Sequence, residues 1–224
     1  VNKWLTNHIN EVLGDLIKLT KHKIKNQYLR GLLFQLYENN GVVKRNDIDK
    51  IVKSIPSEER KKLWGMGIKI GRYHIYLPKM LKPKAVNFRI SLWKIFHNQL
   101  DKNTIPKSGL NFLIGNNFEK NFLLLCGFEK FKDFFVRIDI LEKLFLKIIE
   151  NSNNKKFKIN AEMMNLLGCS KENFYKLMSY MDYKKDKEED TYIFKGEKKK
   201  KKKIIRFDKK ENPFKKLLSL NLNK

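Results

Sequence analysis

The stretch Gly65-Met66-Gly67-Ile68-Lys69-Ile70-Gly71-Arg72-Tyr73-His74-Ile75-Tyr76-Leu77-Pro78-Lys79-Met80-Leu81-Lys82-Pro83 decides how the chain is read. Three glycines at short spacing offer positions for positive φ or for close backbone approach. Ile68, Ile70, Tyr73, Ile75 and Leu77 recur at nearly strand period. Gly71-Arg72 stands between the two halves, which predicts a tight hairpin. Pro78 stops the second strand, and Pro83 suits the first position of a helix.

Outward toward the N-terminus the pattern is helical. Trp4, Leu5, Ile9, Val12, Leu13, Leu16, Ile17 and Leu19 predict an amphipathic helix over residues 2–20. A second helix is expected over 27–39, ended by Gly41, followed by a short extended Val42-Val43. Asn46 or Asp47 is expected to cap a third helix, and Pro56 to begin a fourth that runs to Trp64. The order helix, short strand, helix, helix, hairpin is that of a winged helix.

Toward the C-terminus, Pro83 opens a helix to about His97, and residues 98–109 read as a loop. A short strand over 110–114, a short helix over 118–125 closed by Gly127, and an irregular phenylalanine-rich approach follow. Asp139-Ile140-Leu141-Glu142 has capping-box spacing. Phe157-Lys158-Ile159 is a short strand; Asn160 and Ser170 cap two helices separated by Leu167-Gly168-Cys169-Ser170; residues 183–194 form a hairpin. The fold expected is therefore mainly α with short β-hairpins: two winged-helix-like modules joined by a long helix and loop, plus a basic disordered tail. The boundaries are 1–97, with the glycine hairpin at 65–78, a linker with a short helix at 98–135, a second module at 136–195 and a lysine-rich tail with a short terminal helix at 196–224.

The charge narrows the function. The 224 residues carry 49 Lys+Arg against 24 Asp+Glu, a formal +25. Such a field favours a polyanion. Lys, Asn and Ile are abundant together, as in an A+T-rich genome, so part of the lysine content only solvates the surface. No G-x-x-x-x-G-K-[ST] loop is present, and Gly65, Gly67 and Gly71 miss dinucleotide-binding spacing by one residue. His8, His22, His74 and His97 are scattered, with no pair at i, i+4. Helix capping accounts for Asp139 and Glu142, and no catalytic set is expected in this chain. Cys126 and Cys169 lack metal-ligand spacing and suit small buried hydrophobes in a reducing, cytoplasmic setting. No apolar run reaches the ~20 residues of a membrane span, so no membrane partner is expected. The opening on Val1, already in a helical pattern, suggests a fragment or processed chain.

Binding chemistry remains. Arg72, Tyr73, His74, Lys79, Lys82 and Lys84 cluster around the hairpin, a mixture suited to phosphate contact and base stacking. Tyr73 fits either stacking or the core. Lys171, Lys176, Lys184 and Lys185 flank the second of the paired helices and its hairpin. Lys198, Lys199, Lys200, Lys201, Lys202 and Lys203 form an unbroken run that self-repels until a polyanion neutralises it.

Several patches resemble a known family, in order along the chain. They are Gly31-Leu32-Leu33-Phe34-Gln35-Leu36, then Gly67 to Pro78 of the opening stretch with Leu81-Lys82-Pro83. Val136-Arg137-Ile138-Asp139-Ile140-Leu141-Glu142-Lys143-Leu144, Met164-Asn165-Leu166-Leu167-Gly168-Cys169-Ser170 and Asn212-Pro213-Phe214 follow. Together they resemble the C-terminal region of bacterial superfamily-two ATP-dependent helicases similar to the mitochondrial degradosome RNA helicase. The resemblance implies a nucleic-acid-binding accessory region, with RNA preferred. Its partners would be its own motor domains, which would hold the ATP and magnesium and carry out ATP hydrolysis, and a degradative ribonuclease. No catalytic residue of that family carries over, and lysine stands where the family has more arginine, a departure that weakens the case for the family's bidentate phosphate contacts. The alternatives from the residues are a free-standing winged-helix DNA-binding transcription regulator and a protein-interaction scaffold.

Overall fold

The structure is a computed structural model that describes residues 2–98, 105–115, 120–154, 156–186 and 190–194. It is mainly helical, with small antiparallel three-stranded sheets. The first helix, α1 (Asn2–Lys21), and α2 (Gln27–Glu38) pack side by side. Asn26 caps α2, its Oδ1 accepting from the N–H groups of Tyr28 and Leu29. At the other end Gly41 takes φ +85, where an added Cβ would also strike Met80.

The first sheet combines β1 (Val42–Lys44), β2 (Lys69–Ile70) and β3 (His74–Tyr76), with α3 (Arg45–Ser54) and α4 (Ser57–Gly65) between β1 and β2. Strand β3 lies in the middle, with Val43 opposite Ile75 on one side and Ile70 opposite Ile75 on the other. The expected cap at Asn46 or Asp47 is not observed. Helix α3 starts at Arg45 without a side-chain cap, because Arg45 N–H is drawn to Tyr73 O at 2.8 Å, and the helix kinks at Ile48. The apolar faces of α1 to α4, β1 and β3 close one core around Leu29, Leu32, Leu36 and Ile75.

A 3₁₀ turn (Pro78–Leu81) leads into α5 (Pro83–Phe96). The segment expected to be a linker holds a sheet of its own. Strands β4 (Phe112–Ile114), β5 (Phe128–Phe131) and β6 (Phe134–Arg137) pair with β6 central, and α6 (Lys120–Leu125) lies between β4 and β5. Strand β6 is buried on both faces. Phe134 and Val136 enter one core, and Phe135 enters another with Ile90 of α5 and Phe122 of α6.

Helix α7 (Ile138–Glu150) follows β6 directly. The third sheet is β7 (Lys156–Lys158), β8 (Tyr183–Lys185) and β9 (Thr191–Phe194), again with the last strand central. Helices α8 (Ala161–Leu167) and α9 (Lys171–Tyr180) lie between β7 and β8. Asn160 and Ser170 cap them as expected, and Gly168 ends α8 at φ +66. The sequence helix, strand, helix or helix pair, hairpin thus occurs three times in the described residues, always with strand order first, last, middle. The lysine run Lys198, Lys199, Lys200, Lys201, Lys202 and Lys203 and the expected terminal helix lie outside the described residues.

Candidate nucleic-acid interface

The β2–β3 hairpin has a loop, Arg72-Tyr73, one residue later than expected. Gly71 N–H donates to His74 O at 2.8 Å, but the reciprocal bond of a tight hairpin is absent. Gly71 O accepts instead from Arg45 Nη1 at 2.8 Å. The N–H groups of Arg72, Tyr73 and His74 all donate to the Glu142 carboxylate of α7, at 2.6, 2.9 and 2.8 Å. Three successive N–H groups converging on one carboxylate form an anion nest. None of the loop residues has positive φ, so the turn obtains its third partner from α7 rather than from primed-turn geometry.

This corrects the capping-box assignment. Helix α7 begins at Ile138 with no side-chain cap. Asp139 is bound in a fork by Arg137, at 2.7 and 2.6 Å, and Glu142 faces the hairpin 70 residues upstream. Burial would push the Asp139 carboxyl up, but the Arg137 guanidinium outweighs it and holds it low.

The same carboxylate belongs to a buried chain of charges. His74 is 1% exposed, and its Nε2 lies 2.8 Å from Glu129 Oε2 of β5. Glu129 also accepts from Lys44 Nζ of β1, and Glu142 Oε1 lies 3.5 Å from His74 Nδ1. Burial would lower the His74 pKa, but hydrogen bonding and the charges of Glu129 and Glu142 raise it overall. Burial would raise that of Glu129, and His74 and Lys44 more than reverse this. The two signs fix a pH window. The raised imidazole contributes stability below its unfolded value of 6.5 and loses it as pH climbs through the folded value; the lowered carboxyl contributes above 4.5 and loses it in acid. Folding stability is therefore expected to be highest at mildly acidic pH and to decline above 6.5, by up to about 1.4 kcal/mol per pH unit, with the melting temperature following it. His74→Gln should flatten that decline in a series of thermal melts; an unchanged slope would show that other groups set it.

Beside the hairpin lies a groove of about 640 Å³. Its walls are the hairpin, the start of α5, the loop over residues 105–110 and the first turns of α7. Among the described residues seven cations line it against two carboxylates, Asp139 and Glu142, both already engaged. Lys69, Lys82, Lys107 and Lys143 are exposed there and have no ion-pair partner among the described residues. The Arg72 guanidinium stands over the Phe145 ring at 5.9 Å.

The residues chosen from sequence divide. Arg72 and Lys82 line the groove. The Tyr73 ring packs edge-on against Phe145 at 5.7 Å beside the core that takes Phe134 and Val136, and burial raises its hydroxyl pKa strongly. Lys79 pairs with Asp15 at 2.7 Å and Lys84 with Glu11, both on α1. Lys171 pairs with Asp190 at 2.9 Å and lies over the Tyr175 ring. Lys176 stands on the solvent face of α9, and Lys184 is exposed on β8; neither has an ion-pair partner among the described residues. Sequence reasoning missed Arg45, Lys69, Lys107 and Lys143, which come together only through tertiary structure. It also passed over Trp64, 73% exposed on α4 beside Arg60 and Lys61.

Burial pushes the Cys126 thiol up to about 12, as suits an unreactive packed cysteine. Among the described residues no helix is long and apolar enough to cross a membrane. No family model, curated protein or solved structure matches the chain.

Proposed function

We propose that this chain binds nucleic acid through winged-helix-like modules. The carrying observation is the last module. Its α8–turn–α9 pair is followed by the β8–β9 hairpin in a sheet whose last strand is central. In a winged helix the second of the two helices enters a groove of the duplex and the hairpin touches the backbone. Here α9 turns Glu172, Lys176 and Ser179 to solvent while Phe174, Leu177 and Met178 enter the core. Lys184 and Lys185 sit on the hairpin. The net charge of +25 supplies attraction that does not depend on base sequence.

The helicase resemblance supports a more specific version, an accessory region that guides RNA beside a motor carrying ATP and magnesium, with a degradative ribonuclease as a further partner. Paired titrations with RNA and DNA of the same sequence test it. An RNA preference supports the accessory role, and selection of one duplex DNA site supports a transcription regulator instead.

The general proposal is tested by anisotropy titrations across a salt series. With about four phosphates neutralised, duplex affinity should fall ~100-fold between 50 and 200 mM salt. Lys176→Glu with Lys184→Glu should flatten the salt dependence and weaken duplex binding. Binding that is absent, or indifferent to salt, overturns the proposal.

A further inference from the structure

The groove beside the β2–β3 hairpin lies outside the α9 surface, and its chemistry differs. Building on the nucleic-acid reading, we infer that it holds an unpaired strand: one or two nucleotides with their bases against its apolar walls and their phosphates at its lysine rim. Three observations carry this.

The first is charge. The two acidic side chains that the described residues place in the groove are engaged, Asp139 with Arg137 and Glu142 with the hairpin N–H groups. Among the described residues cations still outnumber carboxylates seven to two around the groove, so its net charge is positive. Lys69, Lys82, Lys107 and Lys143 come from four different segments and converge on one opening, none of them in an ion pair among the described residues. Four unpaired ammonium groups around one concavity repel each other, and a bound polyanion removes that repulsion.

The second is the wall. Between the cations the surface is apolar, with Ile105, Pro106, Leu110 and Leu146 facing the groove. Phosphate alone needs no such surface. A base does, because its flat face is the part of a nucleotide that gains from leaving water, and base contact of this kind tolerates any sequence.

The third is size. At about 640 Å³ the groove falls among cavities that enclose small ligands, roughly 300–1,000 Å³. One or two nucleotides fit. A base-paired helix does not, since its two backbones flank a groove already ~12 Å wide. The duplex is left to α9 and the β8–β9 hairpin, and the cleft takes a single strand.

The same nucleoside-phosphate chemistry could come from a free mononucleotide, and the experiment separates the two. Anisotropy titrations at fixed salt would use a labelled 12-mer of uridylate or thymidylate, a blunt mixed-sequence duplex, and unlabelled mononucleotide as competitor. The groove variant is Lys82→Glu with Lys143→Glu, both exposed and unpaired, so the fold should persist; circular dichroism and the melting temperature check this. The reference variant is Lys176→Glu with Lys184→Glu. The expected result is a loss of about tenfold or more in 12-mer affinity for the groove variant with less than about threefold loss for duplex, and the opposite ranking for the reference variant. Millimolar mononucleotide should compete weakly. Equal losses on both ligands in the groove variant would reduce the site to bulk charge and overturn the inference, as would unchanged 12-mer affinity. Displacement by mononucleotide at the strand's own concentration would overturn the strand as occupant. If the wild-type chain binds neither ligand, the broader nucleic-acid proposal fails first, and that outcome is distinct from the others.

Discussion

Replacing Glu142 with alanine is expected to cost about 3–5 kcal/mol of folding stability, the range for removing one partner from a buried charged network. Glu142 is 6% exposed and accepts from three backbone donors of a loop far away in sequence. Hydrogen bonds to a charged group contribute about 1.5–3 kcal/mol each, and donors left buried carry a desolvation penalty besides. The groove next to the hairpin admits water to part of that loop, which keeps the cost below the sum of three separate bonds. His74 loses its second carboxylate as well, and its Nδ1 already has no hydrogen-bond partner. Set against a typical domain stability of 5–15 kcal/mol, the loss is large. Glu142→Gln should fall between, near 2 kcal/mol, because its carbonyl oxygen still accepts while its amide faces other donors. Urea unfolding followed by circular dichroism measures both. A cost below 1 kcal/mol for Glu142→Ala would show that the hairpin loop is satisfied by water instead.

This carboxylate also shows where sequence reasoning stops. Helices α1, α5 and α9 could be read from the spacing of their apolar residues, and Asn160, Gly168 and Ser170 from local rules that need only a few neighbours. Asp139 and Glu142 satisfy an equally local rule and do something else. The competing donors lie about 70 residues upstream, and three N–H groups outweigh the single cap bond the rule offers. The middle sheet was hidden for a different reason. A half-buried strand alternates apolar with polar residues, but β6 is buried on both faces, so Phe134, Phe135 and Val136 run together and give no period. The hairpin β2–β3 was legible because its glycines and isoleucines lie within one short stretch. The groove beside it was only half legible. Arg72 and Lys82 belong to that stretch, whereas Lys107 and Lys143 reach the site by chain topology.

Gly71→Ala is expected to be costly only while Glu142 is present, and this is the most discriminating test of the clasp. A Cβ at Gly71 would overlap the whole Glu142 carboxyl group. Its φ lies outside the left-handed region, so alanine suffers no backbone strain there. In wild type the side chain of Glu142 is flexible in principle but pinned by three donors; making room for the methyl group means lengthening or breaking those bonds. The expected cost is about 2 kcal/mol, within the usual range for an overpacked site. In the Glu142→Ala background the obstruction is gone, and the same substitution should change stability by no more than about 0.5 kcal/mol, or stabilise slightly by restricting the unfolded chain. The coupling between the two positions is then about 2 kcal/mol, well above the few tenths seen for independent sites. Four urea titrations complete the cycle. Additive costs would mean that Gly71 is required for its own backbone and that Glu142 acts elsewhere. A strong coupling would identify the approach of α7 to the hairpin backbone as the reason glycine occupies this position. The same contact lines the groove, so the double variant should also report through the strand titration. The double variant should be about as unstable as Glu142→Ala alone and should bind the 12-mer weakly, because the alanine pair relieves the clash but leaves Arg72 and its loop without the carboxylate that orients them.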